Sequence, residues 1–178
     1  MTRLFLIGFM GTGKTTLGRA LAKEMDLSFC DLDQYISQRY MRTIPQLFAT
    51  LGESGFREIE SRLLREVGEF ENVVISSGGS TPLFNDNMDY MCCQGHTIWL
   101  DTSVNVLFRR LKVARLSRPL IASKNDEELL TYIQDELVRR NPYYARAEYH
   151  ISGDCLESPK QISDAVCKVR ELPGLTIS

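Results

Sequence analysis

No stretch of this 178-residue chain approaches the ~20 consecutive apolar residues that a membrane-crossing helix requires. Met1-Thr2-Arg3 leads almost directly into an apolar run, so no signal or transit peptide is expected ahead of it. No internal repeat, low-complexity tract or Pro/Gly linker interrupts the chain, which reads as a single domain over 1–178. Cysteine is scarce and odd in number: Cys30, Cys92, Cys93, Cys155 and Cys167 contain no C-x-x-C pair. That argues against a zinc site or a disulfide framework and for reduced thiols in the cytoplasm, most of them expected as core filler. A large excess of either charge is also missing. Lys and Arg number 21 against 23 Asp and Glu, a net charge of -2, so neither a nucleic acid nor a membrane surface is expected as a partner. His96 and His150 are the two histidines; both flank or lie in expected strands and take a structural reading.

What the chain does have is 43% hydrophobic residues, enough for one compact α/β core. Leu4-Phe5-Leu6-Ile7 is a continuous apolar run ending at glycine, as in a central parallel strand buried on both faces. Leu17, Ala20, Leu21 and Met25 recur at helical spacing after it. Further strands are expected at 28–31, 73–75, 97–100 and 149–151, and helices at 44–51, 56–67, 127–140 and 158–170. Asp101-Thr102-Ser103 offers capping residues for a helix after the fourth strand. Strands alternating with helices imply a doubly wound parallel sheet, whose ligands sit beyond the carboxyl ends of the strands.

Between the first strand and first helix lies Gly8-Phe9-Met10-Gly11-Thr12-Gly13-Lys14-Thr15, a G-x-x-x-x-G-K-T. This strand–loop–helix setting is the one that makes the motif a P-loop. Glycines let successive N–H groups turn inward around phosphates. The helix N-terminus adds roughly 0.3–1 kcal/mol for an anion, up to about 2 when partly buried. Gly11, Thr12, Gly13, Lys14, Thr15 and Thr16 are the candidate nucleotide contacts. Lys14 is placed to reach the β and γ phosphates, the Thr15 hydroxyl to bind Mg²⁺, and Thr16 to add a phosphate contact.

The motif does not say what receives the phosphate. A regulatory GTPase needs D-x-x-G and N-K-x-D, and neither occurs. A motor ATPase needs an apolar strand ending in acidic residues, whereas Val73-Val74-Ile75 ends in Ser76-Ser77-Gly78-Gly79. A neutral glycine turn suits close approach of a small ligand, so transfer to a small acceptor is favoured. Asp31-Leu32-Asp33 follows the second strand; in extended chain, residues two apart share a side. One carboxylate is then available to Mg²⁺ through water, the other to an acceptor hydroxyl and its proton; the plainer alternative is that Asp33 caps a helix starting near Gln34. Arg57, near a helix start, is either a solvated charge, a partner of Glu53 or Glu60, or a fork for an anion. Arg109 to Arg118, followed by Pro119, is a basic helix end or a flap that carries Arg onto phosphates. Arg139-Arg140 ends a later helix, where basic residues also suit the dipole.

Taken together, G-F-M-G-T-G-K-T-T at 8–16, D-L-D at 31–33, G-E-S-G-F-R-E-I-E at 52–60, S-G-G at 77–79, R-P-L at 118–120 and R-N-P-Y-Y at 140–144 resemble the shikimate kinase family across nearly the whole chain. The resemblance implies a P-loop NTPase fold like the nucleoside monophosphate kinases, with a five-stranded parallel sheet flanked by helices and a mobile lid at about 112–122. The acceptor-binding helical segment is then about 33–62. It implies transfer of the ATP γ-phosphate to the 3-hydroxyl of shikimate, with ATP and Mg²⁺ required; apart from the resemblance, the chain is expected to be a monomer. Family roles fall on Arg57 and Arg140 as carboxylate grips, and on Asp33 for the hydroxyl. Gly78 and Gly79 fall at the glycine turn, Arg118 on the lid, Thr15 at the metal and Asp31 near the metal's waters. Catalysis is then expected of Asp33, Lys14 and Arg118. The chain departs from the family where Ser80 replaces a third glycine, and where the adenine-stacking arginine is one register off, leaving Arg110 as its candidate. Ser152-Gly153-Asp154 is left unassigned. The rival readings are another small-molecule kinase, such as a gluconate or nucleoside monophosphate kinase, and a nucleotide switch without transferase activity.

Overall fold

A computed structural model describes residues 1–175. Its element order is β1 (Arg3–Ile7), α1 (Lys14–Glu24), β2 (Ser28–Asp31), α2 (Leu32–Tyr40), α3 (Ile44–Gly68), β3 (Val73–Ser76), α4 (Asn87–Gln94), β4 (His96–Asp101), α5 (Val104–Ala114), α6 (Asp126–Tyr144), β5 (Tyr149–Ser152) and α7 (Pro159–Arg170). Short 3-10 turns cover Thr81–Leu83 and Arg115–Ser117. The five strands form one parallel sheet in the order β2-β3-β1-β4-β5. Strand β1 sits at its centre, with Phe5 beside Ile75 on one side and Thr97 on the other.

Both faces of that sheet are covered, so Leu4 through Ile7 are all fully buried and the strand carries no polar alternation. Phe5 and Ile7 point into a cluster with Leu32, Phe56, Leu63 and Met88, from α2, α3 and α4. Leu4 and Leu6 point the other way, against Leu17 and Leu21 of α1 and Val166 of α7. A third cluster joins Phe9 of the P-loop to α5 and α6 through Leu107, Leu111, Leu129 and Ile133. This alternation hangs the P-loop from the middle of the sheet and ties it to the helices that carry the later arginines.

Helix starts follow the local chemistry. Thr43 with Gln46, Asn125 with Glu128 and Ser158 with Gln161 each form a reciprocal capping box. The structure corrects two boundaries and one cap expected from sequence. The expected helices 44–51 and 56–67 belong to one run, α3, kinked at Gly52, whose φ of 68° glycine tolerates readily. Helix α6 continues through Pro142 to Tyr144, because buried Tyr144 anchors the last turn against Trp99 and donates to the Gly79 carbonyl. Ser103 precedes α5 but makes no side-chain cap; its own N–H donates instead to Asp154 Oδ1 at 2.8 Å, so a distant loop supplies the partner. The short helix α4 was not anticipated from the sequence.

The expectation that most cysteines fill the core is overturned. Cys92, Cys93, Cys155 and Cys167 are exposed and Cys30 is half-buried. The first two and Cys167 lie on the outer faces of α4 and α7, where Met91 and Val166 already fill the inner positions. His96 pairs with Glu148 at 2.8 Å, and His150 packs edge-on against Trp99 and lines a separate cavity with Asp101, Ser103, Ser152 and Asp154, apart from the P-loop.

Candidate active site

Two adjoining cavities open beyond the carboxyl ends of the central strands. The first, about 350 Å³, is lined by the P-loop, the Ser76–Gly79 turn, Asp31, Asp33, Arg110 and Arg118. The second, about 620 Å³, is lined by side chains of α2, α3 and α6 and by Pro119 and Leu120. Asp33 borders both.

The P-loop is shaped by its own backbone. Gly13 has φ of 98°, and a Cβ there would meet Leu156 at 2.8 Å, so only glycine fits. Gly11, Gly13, Lys14, Thr15 and Thr16 line the first cavity. Thr12 does not: it is 1% exposed, and its hydroxyl donates inward to the Phe9 carbonyl at 2.9 Å, bracing the loop. Lys14 is buried, with its ammonium donating to the carbonyls of Gly8 and Phe9 at 2.7 and 2.9 Å. Burial lowers its pKa to about 8, with Arg118 and Arg140 adding to the effect and Asp33 and Asp31 opposing it.

Asp31 and Asp33 reach the same cavity by a route other than the extended chain inferred above. Strand β2 stops at Asp31, and α2 begins at Leu32. Asp31, not Asp33, caps that helix, accepting the Gln34 N–H on Oδ1 at 3.2 Å. Its Oδ2 accepts from the Thr15 hydroxyl at 3.0 Å. One carboxylate thereby ties the start of α1 to the start of α2. Asp33 stands in the first turn of α2 with its pKa pushed up to about 6, by burial first and then by the charges of Glu60 and Asp31.

Arg57 is not a solvated helix charge. Its side chain is 11% exposed and pairs with Glu60 at 2.8 Å and Glu53 at 3.5 Å. Its guanidinium carbon lies 4.1 Å from the Phe84 ring centroid, and among the described residues its buried Nε has no partner. Buried Glu60 is held in turn by the Thr81 hydroxyl at 2.7 Å. Arg140 is likewise more than a cation at a helix end. It is 5% exposed, stacks 4.9 Å from the Phe9 ring and is held by Glu136. Gly78 and Gly79 line the first cavity where it meets the second. A Cβ on Gly79 would stand 3.2 Å from Arg140 Nη1 and 3.3 Å from the Met10 nitrogen. Ser80 has φ of -104°, which any residue adopts, so serine fits where the family often has glycine.

Arg118 lines the first cavity, and its buried Nε also lacks a partner among the described residues. Arg110 borders the same cavity but spends its hydrogen bonds on backbone. It donates to the carbonyls of Gly11, Gly153 and Asp154 at 3.2, 2.9 and 3.1 Å. It thereby clips the P-loop to the loop after β5. Sequence reasoning named Glu60 as a possible partner of Arg57 but missed Thr81 and Glu136. Glu136 left a signal, since it lies four residues before Arg140 on one helix face; the contact of Glu60 with Thr81 crosses elements and left none.

A family profile described as shikimate kinase matches residues 10–171. The chain is 53% identical over 171 residues to a shikimate kinase of Phocaeicola vulgatus, spanning 96% of this chain and 98% of that relative. It is 49% identical over 178 residues to one from Bacteroides fragilis, spanning 100% and 99%. Among solved structures, a shikimate kinase from Bacteroides thetaiotaomicron matches with TM-score 0.93 at 47% identity, covering 96% of this chain and 97% of that one. A shikimate kinase from Acinetobacter baumannii in complex with shikimate matches with TM-score 0.81 at 30% identity, covering 95% and 90%.

Proposed function

The chain belongs to the shikimate kinase family, and from that membership we propose that it transfers the γ-phosphate of ATP to the 3-hydroxyl of shikimate, giving shikimate 3-phosphate and ADP on the way to chorismate and the aromatic amino acids. The observation that carries this reading is Asp33, placed on the border between a cavity bearing Lys14 and Arg118 and a cavity bearing Arg57 and Arg140. A phosphate donor on one side and an anionic acceptor on the other then meet at a single carboxylate.

Phosphoryl transfer asks the protein mainly for alignment and charge neutralisation. Gly11, Gly13, Lys14, Thr15 and Thr16 hold the nucleotide phosphates. The buried, unpartnered Nε of Arg118 supports a phosphate contact there, since a buried donor costs about 1–3 kcal/mol unless something pairs with it. Arg57 and Arg140 hold the acceptor carboxylate, with Gly78 and Gly79 against the ring, so that one hydroxyl faces the phosphate in line. Asp33 orients that hydroxyl and accepts its proton as the oxygen bonds to phosphorus and ADP leaves. A pKa near 6 suits this role: the group is ionised at neutral pH yet more basic than an ordinary aspartate.

Among the described residues no group of three His, Cys, Asp or Glu side chains could hold a metal alone. The Thr15 hydroxyl and Asp31 carboxylate are hard oxygen donors beside the phosphate site, which fits a Mg²⁺ completed by nucleotide oxygens and water. When bound, Mg²⁺ supplies neutralisation of phosphate charge. We assign residues 112–122 as the lid over one domain, with Arg118 turned to the donor and Pro119 and Leu120 to the acceptor. Five free cysteines suit a reducing cytoplasm, and we take the working form to be a monomer without nucleic-acid or membrane partners.

A panel of acceptors in a coupled ADP-release assay tests the assignment. Shikimate should stimulate ADP release far more than gluconate or nucleoside monophosphates. Release that no acceptor stimulates would point instead to a nucleotide switch.

A further inference from the structure

Resting on the reading of Arg140 as an acceptor clamp, we propose that Glu136 is the residue that aims it. Glu136 holds one edge of the Arg140 guanidinium so that the opposite terminal nitrogen is the one offered to the acceptor carboxylate. It is a positioning residue, acting through Arg140.

The geometry is specific. Glu136 lies one turn before Arg140 on α6, the spacing that stacks two side chains on one helix face. Its Oε2 accepts from Arg140 Nε at 2.7 Å and also from Arg140 Nη2. The same oxygen accepts from Arg139 Nη2 at 2.8 Å. A guanidinium offers a carboxylate either its side-on edge, Nε with one terminal nitrogen, or its end-on edge, the two terminal nitrogens. Glu136 takes the side-on edge of Arg140. The nitrogen left over, Nη1, faces the glycine turn, 3.2 Å from where a Cβ on Gly79 would stand. The Phe9 ring closes one face of the guanidinium plane. The ring, the glycine turn and Glu136 bound the Arg140 guanidinium, which also lies within hydrogen-bond reach of the Tyr132 and Tyr144 hydroxyls.

Arg57 is held in the opposite sense. Glu60 and Glu53 take its terminal nitrogens, and its Nε is the group left buried and unpartnered among the described residues. The two clamps therefore present unlike atoms, a terminal nitrogen from Arg140 and an Nε from Arg57. A planar carboxylate is recognised by where those atoms converge, and Glu136 sets one of the two. Burial alone would raise the Glu136 carboxyl, but hydrogen bonds and charge from Arg139 and Arg140 outweigh it and hold the group below its ordinary value. It stays ionised at neutral pH, with the pair of arginines still one positive charge in excess.

The test combines variants with two acceptors, shikimate and its carboxamide analogue, which lacks the negative carboxylate. For Glu136→Ala the acceptor KM should rise about 10-fold, the loss expected when one charge-assisted bond is misaligned, while the ATP KM holds within about 2-fold. Glu136→Gln keeps an accepting oxygen and should recover most of this, leaving a rise of about 3-fold. With the carboxamide, wild type and variants should differ by less than about 2-fold, because the contact that Glu136 prepares is absent. An unchanged acceptor KM in both variants overturns the proposal. So does a joint rise in both KM values, or an equal penalty on the carboxamide, either of which marks a general structural role. Should Glu136→Ala not fold, the Gln variant carries the same comparison. If wild type itself shows no preference for shikimate over the carboxamide, the assignment of Arg140 as a clamp is wrong and takes the role of Glu136 with it.

Discussion

The phosphate cavity and the acceptor cavity share Asp33 but are built differently. The first is largely a local object. Gly11, Gly13, Lys14, Thr15 and Thr16 supply much of its wall, and Gly13 lies where only glycine fits. The second is assembled from side chains more than 100 positions apart, Asp33 on α2 facing Arg140 on α6. Its arginines are each held by acidic partners, Glu60 and Glu53 for Arg57 and Glu136 for Arg140. Backbone donors keep their direction because the chain's own turn fixes it. Long side chains keep theirs only if neighbours do, so the acceptor cavity's arginines carry acidic partners, whereas the P-loop is braced through its own backbone carbonyls by Thr12 and Arg110.

Breaking the shared residue should do most damage. Asp33→Asn should cut kcat by about 10²–10⁴, the usual contribution of a positioned base, with both substrates still bound in equilibrium titrations. The same residue sets the pH response. In wild type kcat/KM should climb as pH rises through about 6, as Asp33 ionises, and this limb should vanish in the variant. Stability moves the other way. The folded-state pKa lies above the ordinary 3.8, so the folded protein binds this proton more tightly and loses stability as pH climbs from about 4 to about 6. Asp33→Asn should therefore melt at a higher Tm than wild type at pH 7 and at the same Tm near pH 4. Equal melting at both would mean that Asp33 is not desolvated.

Removing a clamp should separate the cavities. Arg57→Ala should raise the acceptor KM by about 10- to 150-fold, from loss of one charge-assisted interaction of roughly 1.5–3 kcal/mol, and leave ATP binding nearly unchanged. Equal loss for both ligands would erase the distinction between the two sites. The frame beneath the phosphate cavity is tested by Gly18→Ala. Its Cβ would stand 2.5 Å from Phe29 and 3.0 Å from Leu6. Chemical denaturation should show about 1–3 kcal/mol lost to overpacking, with both KM values intact. The smallest effect is expected from Arg139→Ala. That side chain is half exposed and shares Glu136 with Arg140, so the acceptor KM should shift by no more than about 3-fold.

Much of this was legible in the chain. The central strand, the P-loop and the alternation of strands with helices rest on local patterns, and they stand in the structure at the expected places. The unread parts have identifiable causes. Asp33 was inferred to face the crevice from an extended chain, yet a helix turn puts it there, because Asp31 caps α2 two residues earlier than expected. Arg57 gave a pairing signal with Glu53 and Glu60 at helical spacing, but nothing local to α3 announces that Thr81 fixes Glu60 or that Phe84 lies beneath the guanidinium. That the Thr12 hydroxyl turns inward to brace its own loop is likewise a detail the motif spacing does not carry.

Sequence alone determined the elements whose stabilising contacts lie within a few residues: a buried strand, a glycine turn forced into left-handed φ, and helices opened by capping boxes. Tertiary structure decided which edge of each arginine is spoken for and which is open. It also decided how far burial and neighbouring charge raise Asp33, and that both cavities meet there. The physical reason is range. Hydrogen-bonded turns and caps are satisfied by near neighbours, whereas the direction of a guanidinium and the pKa of a carboxylate depend on everything packed within a few ångströms, whatever its distance along the chain.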